Sequence, residues 1–171
     1  MSKSNDLRIS VSQLPTNSKI LDFVSKLDTA DIRARFGRLL DATGVAPLLI
    51  PKGRGFHATW AWDEDALIGA AMLVELGNRE CELALLVRSD KKRRRVGTRL
   101  TLRSFALAQE LGADQVIAHV RGDNIAALGL LRSTGFRATS GIAFEMWFSA
   151  SAKAHNLFGP TKEIAAGGDQ F

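Results

Sequence analysis

The segment from Glu80 to Val120 constrains this chain more than any other. Glu82-Leu83-Ala84-Leu85-Leu86-Val87 reads as a buried strand and runs into five consecutive cations, Lys91 to Arg95. A helix-spaced stretch follows from Val96 to Leu111, where Val96, Leu100, Leu107 and Leu111 share one face and Leu102 and Phe105 lie nearly opposite. The charged seam of Arg99, Arg103 and Glu110 is narrow, so this helix is expected to be buried on more than one side. Gly112 stops it, and Asp114 to Val120 is rich in strand-forming residues. Strand, helix and strand in that order form a parallel crossover, which has one favoured hand and must pack its helix against a sheet.

The rhythm before this unit is different. Leu7 to Leu14 alternates loosely as a first strand. Asn17 to Asp28 carries Ile20, Leu21, Phe23, Val24 and Leu27 at helical spacing, and Asp28-Thr29-Ala30-Asp31 opens a second helix expected to run through Ile32, Phe36, Leu39 and Leu40. Pro47 to Gly55 reads as a loop. Phe56, Ala58, Trp60 and Trp62 then share one face of a strand, Leu67 to Glu75 returns as its hairpin partner, and Gly77-Asn78 turns the chain into Glu80 to Val87. After the crossover, Asn124 to Ser133 is a short amphipathic helix closed by Thr134-Gly135, with strands at Phe136 to Thr139 and Ala143 to Phe148. The expected fold class is α/β, of the mixed α+β kind: an antiparallel meander, a parallel β-α-β crossover and a C-terminal strand pair. Residues 1–149 read as a single domain and 150–171 as a flexible tail.

Composition narrows the function. No apolar run reaches the ~20 residues of a membrane helix, and the N-terminus lacks the layout of a secretory signal. Cys81 is the only cysteine, so neither an intrachain disulfide nor a multi-cysteine zinc site is available; no metal and a cytoplasmic location are expected. The net charge of +5 equals the basic run, so the chain meets an anion there or solvates the segment. Nucleic acid, membrane lipid and the phosphates of a small ligand are the candidates. Interleaved aromatics are absent from the run, which disfavours nucleic acid. A helix start offers N–H groups without intrahelical partners and a positive dipole end, and arginines grip phosphate in forked fashion, so a pyrophosphate cradle explains the run with fewer assumptions. Gly97 is expected to let a ligand approach the backbone.

These residues resemble the GNAT family of N-acetyltransferases. In the family signature a Gln or Arg is followed after two residues by Gly, then any residue, then Gly or Ala. Lys92 stands at the first position and Gly97 at the last, with Arg93, Arg94, Val96 and Thr98 filling out the loop and helix start. Arg95 replaces the first glycine, which suits a phosphate cradle only if Arg95 takes a negative φ and points away from the cradle or along a phosphate. Asn124 to Phe136 is similar to the family's later segment, an Asn followed by an alanine and closed by Gly-Phe. The resemblance spans roughly Leu67 to Phe148. Asp31 to Phe36 bears a weaker one to the acetyltransferase domains of bacterial protein-lysine acetylases.

The resemblance implies acetyl-CoA as cosubstrate and an amine acceptor, either a small molecule or a protein lysine or N-terminus, with a homodimer left open. Glu82 is the implied general base, because amine attack on a thioester needs a neutral nitrogen and a carboxylate in partly apolar surroundings can take its proton; a solvated strand-edge glutamate is the alternative, with Glu75 and Glu80 as substitutes. Leu86 and Val87 would offer backbone groups to the pantetheine arm and the thioester carbonyl where the fourth strand splays from the fifth. Asn124 would touch the cofactor arm, cap its helix, or both. Leu131 stands where many members carry a Tyr that protonates the leaving thiolate, and this chain has no tyrosine. His119 reads as structural and Trp60 and Trp62 as core, with an aromatic wall of the acceptor pocket as the alternative. A non-catalytic CoA-binding or regulatory module is the competing reading, and a nucleic-acid-binding protein the third.

Overall fold

The computed structural model describes residues 7–10, 14–139 and 143–147. Seven strands form one mixed sheet: β1 (Leu7–Ser10), β2 (Phe56–Asp63), β3 (Ala66–Gly77), β4 (Glu80–Val87), β5 (Gln115–His119), β6 (Arg137–Ala138) and β7 (Ala143–Trp147). Their spatial order is β1-β2-β3-β4-β5-β7-β6, and the β4–β5 pair is the parallel one. β1 to β4 form the expected antiparallel meander. β7 lies between β5 and β6, antiparallel to both. The expected tail, 150–171, and the last residue of the expected final strand fall outside the described residues.

The strand alternation sorts the core onto two faces. Ala58, Trp60, Trp62, Ala70, Met72 and Leu86 are buried against α1 (Asn17–Ser25), α2 (Thr29–Phe36) and α3 (Ala42–Val45). Trp60 is only 1% exposed. Ala61, Ala71, Leu73, Cys81 and Leu83 are buried on the other face against α4 (Val96–Glu110) and α5 (Ile125–Ser133), with Leu100, Phe105, Leu128, Leu131 and Phe136. Gly69 of β3 lets α4 lie close: a Cβ there would come within 2.8 Å of Leu100 Cδ1 and 3.1 Å of Val96 Cγ1. That contact fixes where the first turn of α4 sits.

Two local expectations change. The second helix ends at Phe36 rather than continuing to Leu40, because Gly37 takes the left-handed conformation (φ 70°) and its N–H closes the helix onto the Arg33 carbonyl. The segment after it contains α3 and a 3-10 turn, Ala46–Leu48, which overlaps the expected loop. Asp41 caps α3, its carboxylate accepting from the Gly44 N–H at 2.8 Å. Val45 and Leu49 are buried there. The β3–β4 turn is centred on Asn78 and Arg79, both with positive φ (49° and 62°), as a tight two-residue hairpin turn requires. Arg79 also ties this turn to the α4–β5 loop, donating to the Gly112 carbonyl and to Asp114.

Candidate functional site

The parallel ladder between β4 and β5 is short. Its pairs are Glu80↔Gln115, Cys81↔Val116 and Glu82↔Ile117, and none follows. β4 continues to Val87 along β3, where Leu86 faces Ala70 and Val87 faces Gly69. Beyond Glu82 the edge of β4 therefore leaves β5, opening a fork between the two strands. Leu86 and Val87 stand on the opened stretch, with the Leu86 side chain buried and Val87 half-buried. The start of α4 closes onto the same end of β4: a Cβ at Gly97 would lie 3.8 Å from Val87 Cγ2.

That helix start has free donors. Its first helical hydrogen bond runs from the Arg99 N–H to the Arg95 carbonyl, so the N–H groups of Val96, Gly97 and Thr98 precede the ladder, and no side chain caps the turn. The loop before it holds positive φ at Arg93 (59°) and Arg95 (60°). A left-handed arginine costs about 1–2 kcal/mol, so two of them in one loop are a distinct local feature. Backbone of this kind gathers N–H groups into a concavity suited to anions. The condition of a negative φ at Arg95 is thus not met: Arg95 adopts the left-handed conformation natural to the glycine it replaces, and its exposed side chain stands outside the helix. Gly97 also makes room inside the fold. Its missing Cβ would lie 3.0 Å from Leu130 Cδ2, so glycine at this position serves the approach of α5 to α4.

Much of the basic run is held by carboxylates. Asp31 of α2 accepts from Lys92 Nζ at 2.6 Å and from the Ser89 hydroxyl at 2.8 Å. Asp63, at the end of β2, accepts from Lys91 Nζ at 2.9 Å and pairs with Arg94 at 3.5 Å. Arg88 is mostly buried and forks onto Asp90. Among the described residues only Arg93 and Arg95 of the run have no ion-pair partner. The Lys91 hydrogen bond, aided by the Lys91 and Arg94 charges, holds the Asp63 carboxyl below its ordinary pKa against the opposing effect of burial. A depressed folded-state pKa contributes stability that is present above the unfolded value and is lost as pH falls through the folded one. Asp63→Asn should therefore lower stability near neutral pH by no more than about 1 kcal/mol, with the difference from wild type vanishing in strongly acidic solution; thermal melts across pH check this.

Glu82 stands at the last paired rung of the fork. On the adjoining strand, His119 Nδ1 lies 3.3 Å from Glu82 Oε1, within hydrogen-bond reach. Both side chains are partly exposed. Glu82 also borders a cavity of about 280 Å³ lined by Arg35, Phe36, Leu48, Phe56, Met72, Val74, Glu82 and Ala84. α2 supplies Arg35, whose guanidinium lies 5.1 Å from the Phe36 ring centroid and whose Nε is buried without a hydrogen-bond partner. Burial lowers the Arg35 pKa and the Glu82 charge opposes that shift, so the two groups sense each other across the cavity. The arrangement places a carboxylate, an imidazole and an open strand edge beside a helix start rich in N–H donors. It can take a proton from a bound nucleophile while the backbone holds an anionic, extended ligand.

A model of the acetyltransferase (GNAT) family matches residues 23–136. The chain belongs to the GNAT acetyltransferase family. Solved GNAT structures share the fold at low sequence identity. The GNAT domain of S. lividans PAT superposes with a TM-score of 0.75 at 16% identity, covering 83% of this chain and 90% of that one. A putative acetyltransferase from Salmonella typhimurium, yncA, determined with acetyl-CoA, gives 0.64 at 14% identity and covers 86% and 97%. The ribosomal-protein-S18-alanine N-acetyltransferase of Escherichia coli gives 0.61 at 18% identity and covers 90% and 99%. Comparison with curated protein sequences finds no match.

Within this GNAT fold the residues singled out from sequence fall into three groups. Glu82, Leu86, Val87 and the 92–98 loop all lie at the fork or at the helix start beside it. Asn124 caps α5, its side chain accepting from the Ala127 N–H at 3.1 Å. Leu131 is 3% exposed and packs in the core on the α4–α5 face, so no polar side chain occupies its place. Glu75 is separated from the Glu82 cavity, reaching His57 Nε2 at 2.7 Å. Trp60 and Trp62 are core and do not line the cavity; Phe56 does. Arg35 and the closeness of His119 to Glu82 escaped the sequence reading. Cys81 is buried, and burial raises its thiol pKa. Among the described residues no group of His, Cys, Asp and Glu side chains is arranged to hold a metal ion, and no helix is long and apolar enough to cross a membrane.

Proposed function

We propose that residues 1–149 form one acetyltransferase domain that transfers the acetyl group of acetyl-CoA to an amine by direct attack. The observation that carries this reading is the fork after Glu82, opened beside a helix start whose N–H groups are free. The N–H groups of Val96, Gly97 and Thr98, with the concavity formed by Arg93 to Arg95, suit a pyrophosphate. The open edge of β4 at Val87 suits an extended amide-bearing arm, and a backbone N–H there would polarise the thioester carbonyl. Acetyl-CoA supplies an acyl carbon already activated as a thioester. Glu82 takes a proton from the acceptor ammonium, with His119 in position to share it.

The departures from the signature bear on rate more than on binding. Arg95 keeps the backbone conformation of the missing glycine. Leu131 removes a side-chain acid, yet a thiol of pKa about 8.5 leaves tolerably as thiolate and can be protonated through water. The core position of Leu131 is what favours the second reading, a CoA-binding module without turnover. Nucleic-acid binding is disfavoured because Lys91, Lys92 and Arg94 already meet Asp63 and Asp31.

A panel of amine acceptors with a free-thiol readout separates the two main readings. The acetyltransferase reading expects amine-dependent thiol release with at least one acceptor class. CoA binding in calorimetry with no amine-dependent release would favour the module.

A further inference from the structure

The cavity beside Glu82 carries a second charged group that proton transfer to Glu82 does not use. Arg35 reaches it from α2, and its Nε is buried with no hydrogen-bond partner. As a cation on the wall of this cavity, the guanidinium would stabilise an acceptor oxygen placed beside it. Between Arg35 and Glu82 the walls are Phe36, Leu48, Phe56, Met72, Val74 and Ala84, all apolar. One cation and one anion on an apolar cavity of about 280 Å³ are the complement of a small zwitterion with an apolar body.

We infer that the acceptor is a free amino acid, or a close analogue, with an apolar side chain. Its carboxylate meets the Arg35 guanidinium, its ammonium meets Glu82, and its side chain lies against Phe36, Leu48 and Phe56. This rests on the acetyl-transfer reading of the same site. A protein lysine fits less well because its side chain brings no carboxylate to Arg35, and a polycationic amine because it brings a further cation toward it. In the reaction the ammonium gives one proton to Glu82, and the neutral nitrogen forms its bond to the acetyl carbon as the carbon–sulfur bond breaks. The sulfur leaves as CoA thiol with the second proton shed by nitrogen, and Glu82 returns its proton to solvent.

The test compares thiol release with leucine, leucinamide, 3-methylbutylamine and Nα-acetyl-lysinamide, using wild type, Arg35→Gln and Arg35→Lys. Wild type should favour leucine over 3-methylbutylamine by about 100-fold or more in kcat/KM, since a site built to bind a polar group rejects the analogue lacking it. Arg35→Gln should bring that ratio within about threefold of unity while the KM for acetyl-CoA stays put, and Arg35→Lys should keep part of it. Intrinsic differences between the amines cancel when one ratio is compared across variants. Preference for the amide, the plain amine or the lysine probe in wild type, or a ratio that survives Arg35→Gln, overturns the inference. Calorimetric titration of leucine into CoA-loaded protein keeps the two readings apart. If no amine releases thiol, leucine binding to wild type and not to Arg35→Gln upholds the ligand assignment and defeats the transfer reading; no leucine binding to wild type defeats the assignment.

Discussion

Glu82→Gln should lower amine-dependent turnover by about 10²–10⁴-fold, the share usual for a general base, while acetyl-CoA affinity and the fold are retained. The substitution is nearly isosteric and falls on a partly exposed side chain at the rim of the cavity, so the β4 ladder and both cores have no reason to move. The acidic limb of the pH–rate profile should disappear in the same variant. His119 is the neighbour that could take over, since its Nδ1 lies 3.3 Å from Glu82 Oε1. A residual rate in Glu82→Gln that is lost on adding His119→Ala would identify that rescue. Near-full turnover of Glu82→Gln at every pH would move the base elsewhere. Glu80 is then the better substitute, because Glu75 is already engaged by His57.

Replacing Arg94 and Arg95 together with Ala should weaken CoA binding by about 10- to 100-fold and make the remaining affinity less sensitive to salt. The backbone makes this a clean test of side chains. Ala is as strained as Arg at a φ of 60°, so the loop's conformational cost is unchanged at position 95. Arg95→Gly is the complementary variant: it relieves that cost and restores the residue usual in the family signature. Binding lost in the double variant and kept in Arg95→Gly would assign the contribution to Arg94. Unchanged affinity of the double variant in calorimetry would remove the basic loop from the cradle.

The features legible in sequence were those with a local cause. Period-two alternation placed Trp60 and Trp62 on one buried face, and the Gly112 stop and the Asn124 cap fixed the ends of α4 and α5 to within a residue or two. The basic run before Val96 marked the helix start because charge, glycine and helical spacing meet there within a few residues. The expected α2 overran because apolar Leu39 and Leu40 continue a helical spacing that Gly37 interrupts in the left-handed region. What escaped depends on contacts between distant segments. Arg35 gains significance only when α2 lies across β4, and His119 only when β5 pairs beside Glu82. The pairing of Lys91 and Lys92 with Asp63 and Asp31 joins residues that no periodicity relates. Gly97 gives room to Leu130 as well, from a helix formed later in the chain, a contact that no local pattern shows. Positive φ at Arg95 is likewise set by how the loop closes, since composition alone argues against it.

Because the proposed cradle and slot are built from backbone, amide hydrogen exchange with and without acetyl-CoA tests the central claim most directly. Protection should appear at the N–H groups of Val96, Gly97 and Thr98 and on the open edge of β4 at the Val87 N–H, with the interior of β2 unchanged. Acetyl-CoA that binds while leaving both of those segments unprotected would contradict the account.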